Sequence, residues 1–236
     1  MSTSKSFAAA RPLKPHLMQE TGGLAAEVND VRKDVDAAFG IMEGRTGFPV
    51  ARAIDGGAPA AAGGAMVVLG TNLLQGCLLD HAHLLQAAID VEIKANKPGV
   101  SGYTFVMTTG GGGSSSAVFT PSTGVLAIAL KTGGDTAANV AAAINTAGAG
   151  YLFATVVGGG SYTLAVTSTP LAGGTGVMAG FKVLVAGQEA LPSIPWTDTS
   201  VTVTVPALTG LVATDIALIQ MMAGGVQALS LAAALA

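Results

Sequence analysis

Residues 89–172 constrain the fold of this chain most strongly, because strand, turn and helix patterns follow one another closely there. Ile89-Asp-Val-Glu-Ile-Lys-Ala95 alternates apolar with charged residues, as a strand with one solvated face does. A helix is predicted at 135–147, with Asp135 or Thr136 as N-cap and Val140 and Ile144 on its buried face. Further strands are predicted at 103–108, 117–120, 125–131, 151–157 and 161–167. We therefore predict a mainly β fold with a few helices (α+β).

The segments after this stretch continue the strand pattern. Ser200-Val-Thr-Val-Thr-Val205 alternates valine with threonine, which is typical of a half-exposed antiparallel strand. Asp215–Met222 and Val226–Leu231 suit a hairpin across Gly224-Gly225. The Ala and Leu residues of Leu229–Ala236 also suit a terminal helix, so the sequence leaves strand and helix both open there.

The N-terminal part shows a different periodicity. Residues 1–23 lack a period and are predicted as an extended arm, whereas 24–44 are predicted as an amphipathic helix. One interpretation is a coiled-coil seam between chains, and the other is a single helix lying on its own domain. In a coiled coil, β-branched residues at both seam positions favour a trimer. The seam residues, spaced alternately by four and three, are Leu24, Val28, Val31, Val35, Ala38 and Met42.

The rest of the chain divides by composition. Residues 45–64 are rich in Gly, Ala and Pro and are predicted as a linker. One or two β-sandwich-like domains are predicted after it. They comprise a β-rich module at 65–176, which contains the Ala-rich helix, and a C-terminal β region at 177–236. Within the module, Gly110–Ser116 is predicted as a hairpin tip.

The balance of charges limits the classes of partner. Only 11% of the residues are charged, against roughly a quarter in ordinary soluble domains, which predicts burial of surface between copies in a homo-oligomer. There is no basic stripe, so no nucleic-acid partner is expected. Polar residues interrupt the apolar stretch 210–236, so no membrane is expected. The N-terminus lacks the apolar core of a signal peptide, which predicts synthesis in a cytoplasm.

Candidates for chemistry are few. Asp80-His81-Ala-His83 is the only cluster of metal-ligand residue types, and on a strand His81 and His83 would point to the same side. They suit either polar positions at a strand end or interface, or a metal site assembled from several chains; we expect no metal and no other cofactor. Ser114 to Ser116 have no base nearby in the sequence, and no phosphate-binding loop is present. We therefore predict that the protein is not an enzyme.

The order of several segments resembles a known module. These segments are Ile93–Gly102, Val125–Leu130, Thr136–Asn145, Leu152–Thr155 and Leu171–Gly174. Together they resemble a β-rich module of tailed-bacteriophage virion proteins, found in tail sheath-like, decoration and fibre-associated subunits. In that module an A-x-x-P-G-x-x-G turn leads into strands and a T-A-x-x-V-A-x-A-I-N helix. Tyr103 departs from the pattern, because the module usually has Asn there.

The resemblance implies a structural component of the virion, assembled in the host cytoplasm. The expected role is a capsid decoration or cement subunit, which stabilises the shell through contacts with its own copies and with the major capsid protein. A tail, neck or fibre-base component is the first alternative. A host-surface binding module, with Gly110–Ser116 as its recognition loop, is the second. In a trimer, His81 and His83 of three chains would resemble the His-x-His iron sites of trimeric phage spikes.

Overall fold

A computed structural model describes residues 49–55, 64–211 and 215–234 of the chain. The predicted arm and the seam from Leu24 to Met42 lie outside the described residues. The trimer inferred from the seam therefore stays a prediction. Gly47–Ala236 form one compact unit. In the part that the structure describes, the fold is mainly β with a single α-helix, which confirms the mainly β class predicted from the sequence.

The helix α1 spans Ala137–Ala147, and a 3-10 turn spans Met178–Gly180. The strands, in chain order, are β1 (Val50–Asp55), β2 (Ala65–Thr71), β3 (Leu79–Gln86), β4 (Ile89–Pro98), β5 (Thr104–Thr109), β6 (Ser116–Thr120), β7 (Val125–Leu130), β8 (Asp135–Thr136), β9 (Leu152–Gly158), β10 (Ser161–Tyr162), β11 (Val166–Pro170), β12 (Lys182–Val185), β13 (Gln188–Pro192), β14 (Ser200–Thr204), β15 (Ile216–Ala223) and β16 (Val226–Ala234).

Seven strands form one antiparallel sheet in the order β1-β2-β14-β13-β12-β15-β16. Its two edge strands, β1 and β16, lie close to each other, so the sheet curls around its own core. The side chains of Val201 and Val203 are fully buried there, whereas Thr204 is exposed, as the alternation in β14 predicts. Phe181 and Trp196 pack edge to face in the same core, with ring centroids 5.4 Å apart.

The structure differs from two predictions about domain organisation. Val50–Asp55, inside the predicted linker 45–64, is strand β1, because its backbone pairs with β2, a partner that composition does not reveal. β2, which the sequence groups with the module 65–176, pairs instead with β14 in the C-terminal region. The core of the curled sheet is therefore built from segments on both sides of residues 79–171.

Residues 79–171 build a second core. A three-stranded sheet (β3-β4-β9) and a four-stranded sheet (β11-β5-β7-β6) contribute to it, together with α1. Ile93 from the first sheet, Phe105 and Leu126 from the second, and Ile144 from the helix are all fully buried. The Tyr162 hydroxyl, also buried, donates a hydrogen bond of 2.6 Å to the carbonyl of Leu84. The two sheets, the short β8–β10 ladder that carries Tyr162 and the helix thus share a single hydrophobic core.

Two local predictions in this half are wrong. Gly110–Ser116 is not a hairpin tip, because β5 pairs with β7 in parallel and β7 lies between β5 and β6. The segment is a crossover that carries the chain past β7. The strand predicted at 161–167 is broken into β10 and β11, because β10 pairs with β8 whereas β11 pairs with β5. Both errors concern pairing between distant segments.

The helix and the C-terminal hairpin agree with the sequence. Thr136 is the N-cap of α1, and its hydroxyl accepts a hydrogen bond from the backbone N–H of Asn139 at 3.2 Å. Val140 and Ile144 are buried. At the C-terminus, β15 and β16 pair across Gly224 and Gly225, both of which have positive φ angles, so the hairpin is formed rather than a terminal helix.

Candidate functional site

The two glycine-containing motifs of the resemblance, Pro98–Gly102 and Leu171–Gly174, meet at one buried carboxylate. Asp80 in β3 is only 2% exposed. Its Oδ2 accepts hydrogen bonds from the backbone N–H and the hydroxyl of Ser101, the latter at 2.7 Å. Its Oδ1 accepts from the backbone N–H of Gly174, also at 2.7 Å. Asp80 therefore ties both motifs to β3.

Glycine is required at two positions around Asp80 because the backbones approach closely. A methyl group on Gly174 would lie 2.5 Å from Asp80 Oδ1 and 2.5 Å from the carbonyl oxygen of Gly99. Gly99 has a φ of +112°, and a methyl group on it would lie 2.5 Å from the backbone nitrogen of Met178. The two motifs hold their loops together through close contacts between backbone atoms, which leave no room for a larger residue at Gly99 or Gly174.

His81 and His83 lie on the other side of β3 from Asp80. Successive side chains of a strand point to opposite sides, so Asp80 points away from His81 and His83 although the three are close in sequence. Both imidazoles are exposed, and their ring centroids are 6.1 Å apart in an edge-to-face arrangement. The prediction that they share one side of a strand is confirmed by this geometry.

The two histidines lie near charged residues of the neighbouring strand β4. His83 Nδ1 lies 3.0 Å from both carboxylate oxygens of Asp90 in β4. Glu92 stands opposite His83 in the strand register, and its carboxylate is 2.9 Å from Lys94 Nζ. Sequence reasoning missed the partnership of His83 with Asp90, although a tight turn after Gln86 in an alternating hairpin would have brought the two together.

Among the residues with described placement, no group of three or more His, Cys, Asp or Glu side chains is arranged to hold a metal ion. The assembly of imidazoles from three chains needs further copies of the protein, so it stays the alternative to the expectation of no metal. The one cysteine, Cys77, is half-buried and free.

The serines of the crossover loop lie beside the N-terminus of α1. Ser114, Ser115 and Asp135 line a shallow depression there. The Asp135 carboxylate accepts hydrogen bonds from Asn139 Nδ2 at 2.7 Å and from the backbone N–H of Ser115 at 3.3 Å. The hydrogen bond from Asn139 is the main cause that lowers the pKa of Asp135 from 3.8 to about 2, against the opposing effect of burial.

The polar groups of this depression take part in hydrogen bonds between the loop and its neighbours. The hydroxyl of Ser115 accepts a hydrogen bond of 3.0 Å from the backbone N–H of Lys131, and no histidine lines the depression. The Asp135 carboxylate is engaged by the helix and the loop. The arrangement anchors the crossover loop to α1.

The outer side of the C-terminal hairpin is an exposed apolar surface. Ile216 is 73% exposed and Leu218 is 47% exposed on β15, and Ala232 of β16 stands opposite Leu218. We call these three residues the C-terminal apolar face. No charged residue occurs within either Ile216–Ala223 or Val226–Ala234. Contiguous exposed apolar side chains can mark an interaction site.

Within the described ranges, no helix is long and apolar enough to cross a membrane. Comparison of the chain with protein-family models, with curated proteins and with solved structures finds no match.

Proposed function

We propose that this protein is a structural subunit of a bacteriophage particle, and that its role is to decorate and cement the capsid shell. In this proposal the β-sandwich-like half and the curled sheet are rigid bodies that bury surface against neighbouring subunits. The resemblance of residues 93–174 to virion modules suggests the setting. The observation that carries the proposed mode of action is the C-terminal apolar face.

The C-terminal apolar face supports attachment because it combines exposed apolar side chains with a complete lack of charge in its hairpin. Burying apolar surface contributes about 25 cal/mol per Å2, before the losses of association are subtracted. The binding free energy from a single contact of this kind would be modest. Repetition around a shell, where each subunit contacts several neighbours, multiplies modest contacts into strong retention.

The interior of the described part supports a mechanical role in a second way. Two buried carboxylates hold loops together, one of them being Asp80, which binds Ser101 and Gly174. Asp135 likewise binds Ser115 and Asn139. Groups used in this way stabilise the subunit that presents the attachment surface.

The test compares Leu218→Glu with Val118→Glu on particles of the phage that encodes the chain. Leu218 lies in the C-terminal apolar face, whereas Val118 is 63% exposed on β6 in the other half of the molecule. We expect Leu218→Glu to lower occupancy on purified particles at least ~10-fold, because the carboxylate would be desolvated on attachment. Val118→Glu should leave occupancy unchanged, and circular dichroism should show both variants folded. Wild-type occupancy of Leu218→Glu would refute the proposed attachment surface.

Copy number separates a decoration subunit from a tail, neck or fibre-base component. Gel densitometry of wild-type particles should give a number of copies comparable with that of the major capsid protein. A small fraction of that number would contradict the decoration role and favour the tail or neck alternative. Binding of the isolated protein to host-surface glycans through Gly110–Ser116 would favour the recognition module instead.

A further inference from the structure

We propose that His81 and His83 of a single chain chelate a divalent transition-metal ion of the class of Zn²⁺, Ni²⁺ or Cu²⁺. The site needs no symmetry-related copy, in contrast to the assembly of imidazoles from three chains. It also goes beyond the structural role, because it is an ion-binding site on the surface of the subunit. Imidazole nitrogens are ligands that these ions prefer, whereas Ca²⁺ and Mg²⁺ prefer oxygen.

The distance between the two rings fits one shared ion. A zinc ion lies about 2.0–2.1 Å from an imidazole nitrogen, which places it about 3.2 Å from the ring centroid. Two rings on one ion then have centroids about 5.2 Å apart at a tetrahedral angle and about 6.4 Å apart when they are opposed. The observed separation of 6.1 Å lies between these values. Both side chains are exposed, so small rotations can close the remaining difference.

Asp90 prepares His83 for this role. The carboxylate of Asp90, with a side chain only 15% exposed, lies 3.0 Å from His83 Nδ1. In the tautomer that carries its proton on Nδ1, His83 donates a hydrogen bond to Asp90 and presents the lone pair of Nε2 to an ion. Metal-binding histidines commonly have such a carboxylate on their second nitrogen, where it orients the ring and raises its basicity. This contact distinguishes His83 from an ordinary exposed histidine.

The surroundings indicate an open site with two protein ligands. Glu92 faces His83 in the strand register, but Lys94 holds its carboxylate at 2.9 Å. Water molecules would therefore complete the coordination. With half the ligands of a structural zinc site, the expected dissociation constant is about 1–100 µM, far weaker than that of a four-ligand site.

Calorimetric titration of the purified full-length protein with ZnCl₂ tests the proposal. We expect one ion per chain, and at least ~10-fold weaker binding for His81→Ala and for His83→Ala. Asp90→Asn should weaken binding by about 10-fold while both imidazoles remain, because the second-nitrogen partner is lost. His16→Ala is the matched control, since His16 is the third histidine of the chain. Glutamine substitutions replace the alanine variants if circular dichroism shows that those are unfolded.

Three results would overturn the proposal. The first is a wild-type dissociation constant above about 1 mM, weaker than a two-imidazole chelate should give. The second is wild-type affinity in both the His81 and the His83 variants. The third is an equal loss in His16→Ala, which would place the ion elsewhere. Wild-type affinity of Asp90→Asn would remove Asp90 from the site. None of these results bears on particle occupancy, so the proposed function is tested separately.

Discussion

Asp80 combines almost complete burial with a side chain that normally seeks water. Its carboxylate is accommodated because donors from two separate loops, at Ser101 and Gly174, surround it. Each donor comes from backbone or side chain that would itself be left unpaired if the carboxylate were removed. Asp80 therefore stabilises a junction of three segments, and its removal should destabilise the packing of all three.

Asp80→Asn should lower the free energy of unfolding by about 2–3 kcal/mol. The amide has one acceptor oxygen, so its NH2 group would face an N–H or O–H donor of Ser101 or Gly174. Urea unfolding followed by circular dichroism measures the change. Asp198→Asn is the control, because Asp198 is exposed and accepts one long hydrogen bond of 3.3 Å from the backbone N–H of Leu74. Equal effects of the two substitutions would contradict the role given to Asp80.

The sequence suggested the residue types at this junction but could not connect them. Pro98–Gly102 and Leu171–Gly174 are visible as turn motifs, and the position of Asp80 on the opposite side of β3 from His81 follows from alternation. The contact between the two motifs is a tertiary one between segments far apart in the chain. No local pattern encodes it.

At the scale of elements, α1 shows which features are local. Its N-cap at Thr136 and its buried residues Val140 and Ile144 follow from spacing within one helix, and they were predicted. The role of Asn145 was not predicted. Its side chain exchanges two hydrogen bonds with the backbone of Ala154 in β9, at 2.6 and 3.0 Å, and so covers the outer edge of that strand. That contact depends on where the helix packs.

The junction between Asp135, the crossover loop and α1 should depend on pH. The folded protein lowers the pKa of Asp135 from 3.8 to about 2, so its contribution is fully present above about pH 4 and is lost as the pH falls toward 2. Over this window the Asp135→Asn variant should lose less unfolding free energy than the wild type. The difference in slope should approach one proton per molecule.

Urea unfolding of both proteins at pH 5 and at pH 3 measures this difference. The other carboxyl groups are present in both proteins, so their contributions cancel in the comparison. A stability difference between wild type and Asp135→Asn that is the same at both pH values would contradict the linkage. Such a result would mean that the hydrogen bonds from Asn139 and Ser115 do not favour the charged carboxylate.

The order in which the strands pair could not be predicted from the sequence. The alternation in β14 identified its buried valines, because one strand carries that information alone. The parallel pairing of β5 with β7, and the strand β1 inside a Gly- and Ala-rich segment, depend on partners elsewhere. Gly110–Ser116 was therefore taken for a hairpin tip although it crosses over β7.

At the scale of the whole molecule, the chain leaves one core and returns to it. The curled sheet uses residues before 79 and after 171, while the segment between them builds the second core. Asn96, fully buried, links the two. Its side-chain Nδ2 donates to the Pro192 carbonyl at 3.0 Å, and its backbone carbonyl accepts from the backbone N–H of Trp196 at 3.0 Å. A linear division of the sequence into consecutive domains cannot express this arrangement.

Deletion of residues 1–44 should separate folding from attachment. Gly47–Ala236 form a compact unit with their own hydrophobic cores, so the truncated protein should unfold at a temperature close to that of the full chain. The predicted seam from Leu24 to Met42 would be lost with the deletion. We therefore expect sedimentation equilibrium to give a trimer for the full chain and a monomer for the truncated one.

Occupancy of the truncated protein on salt-washed particles should fall as well, because an oligomer attaches through several apolar faces at once. Trimers and full occupancy without residues 1–44 would contradict the role given to the N-terminal seam.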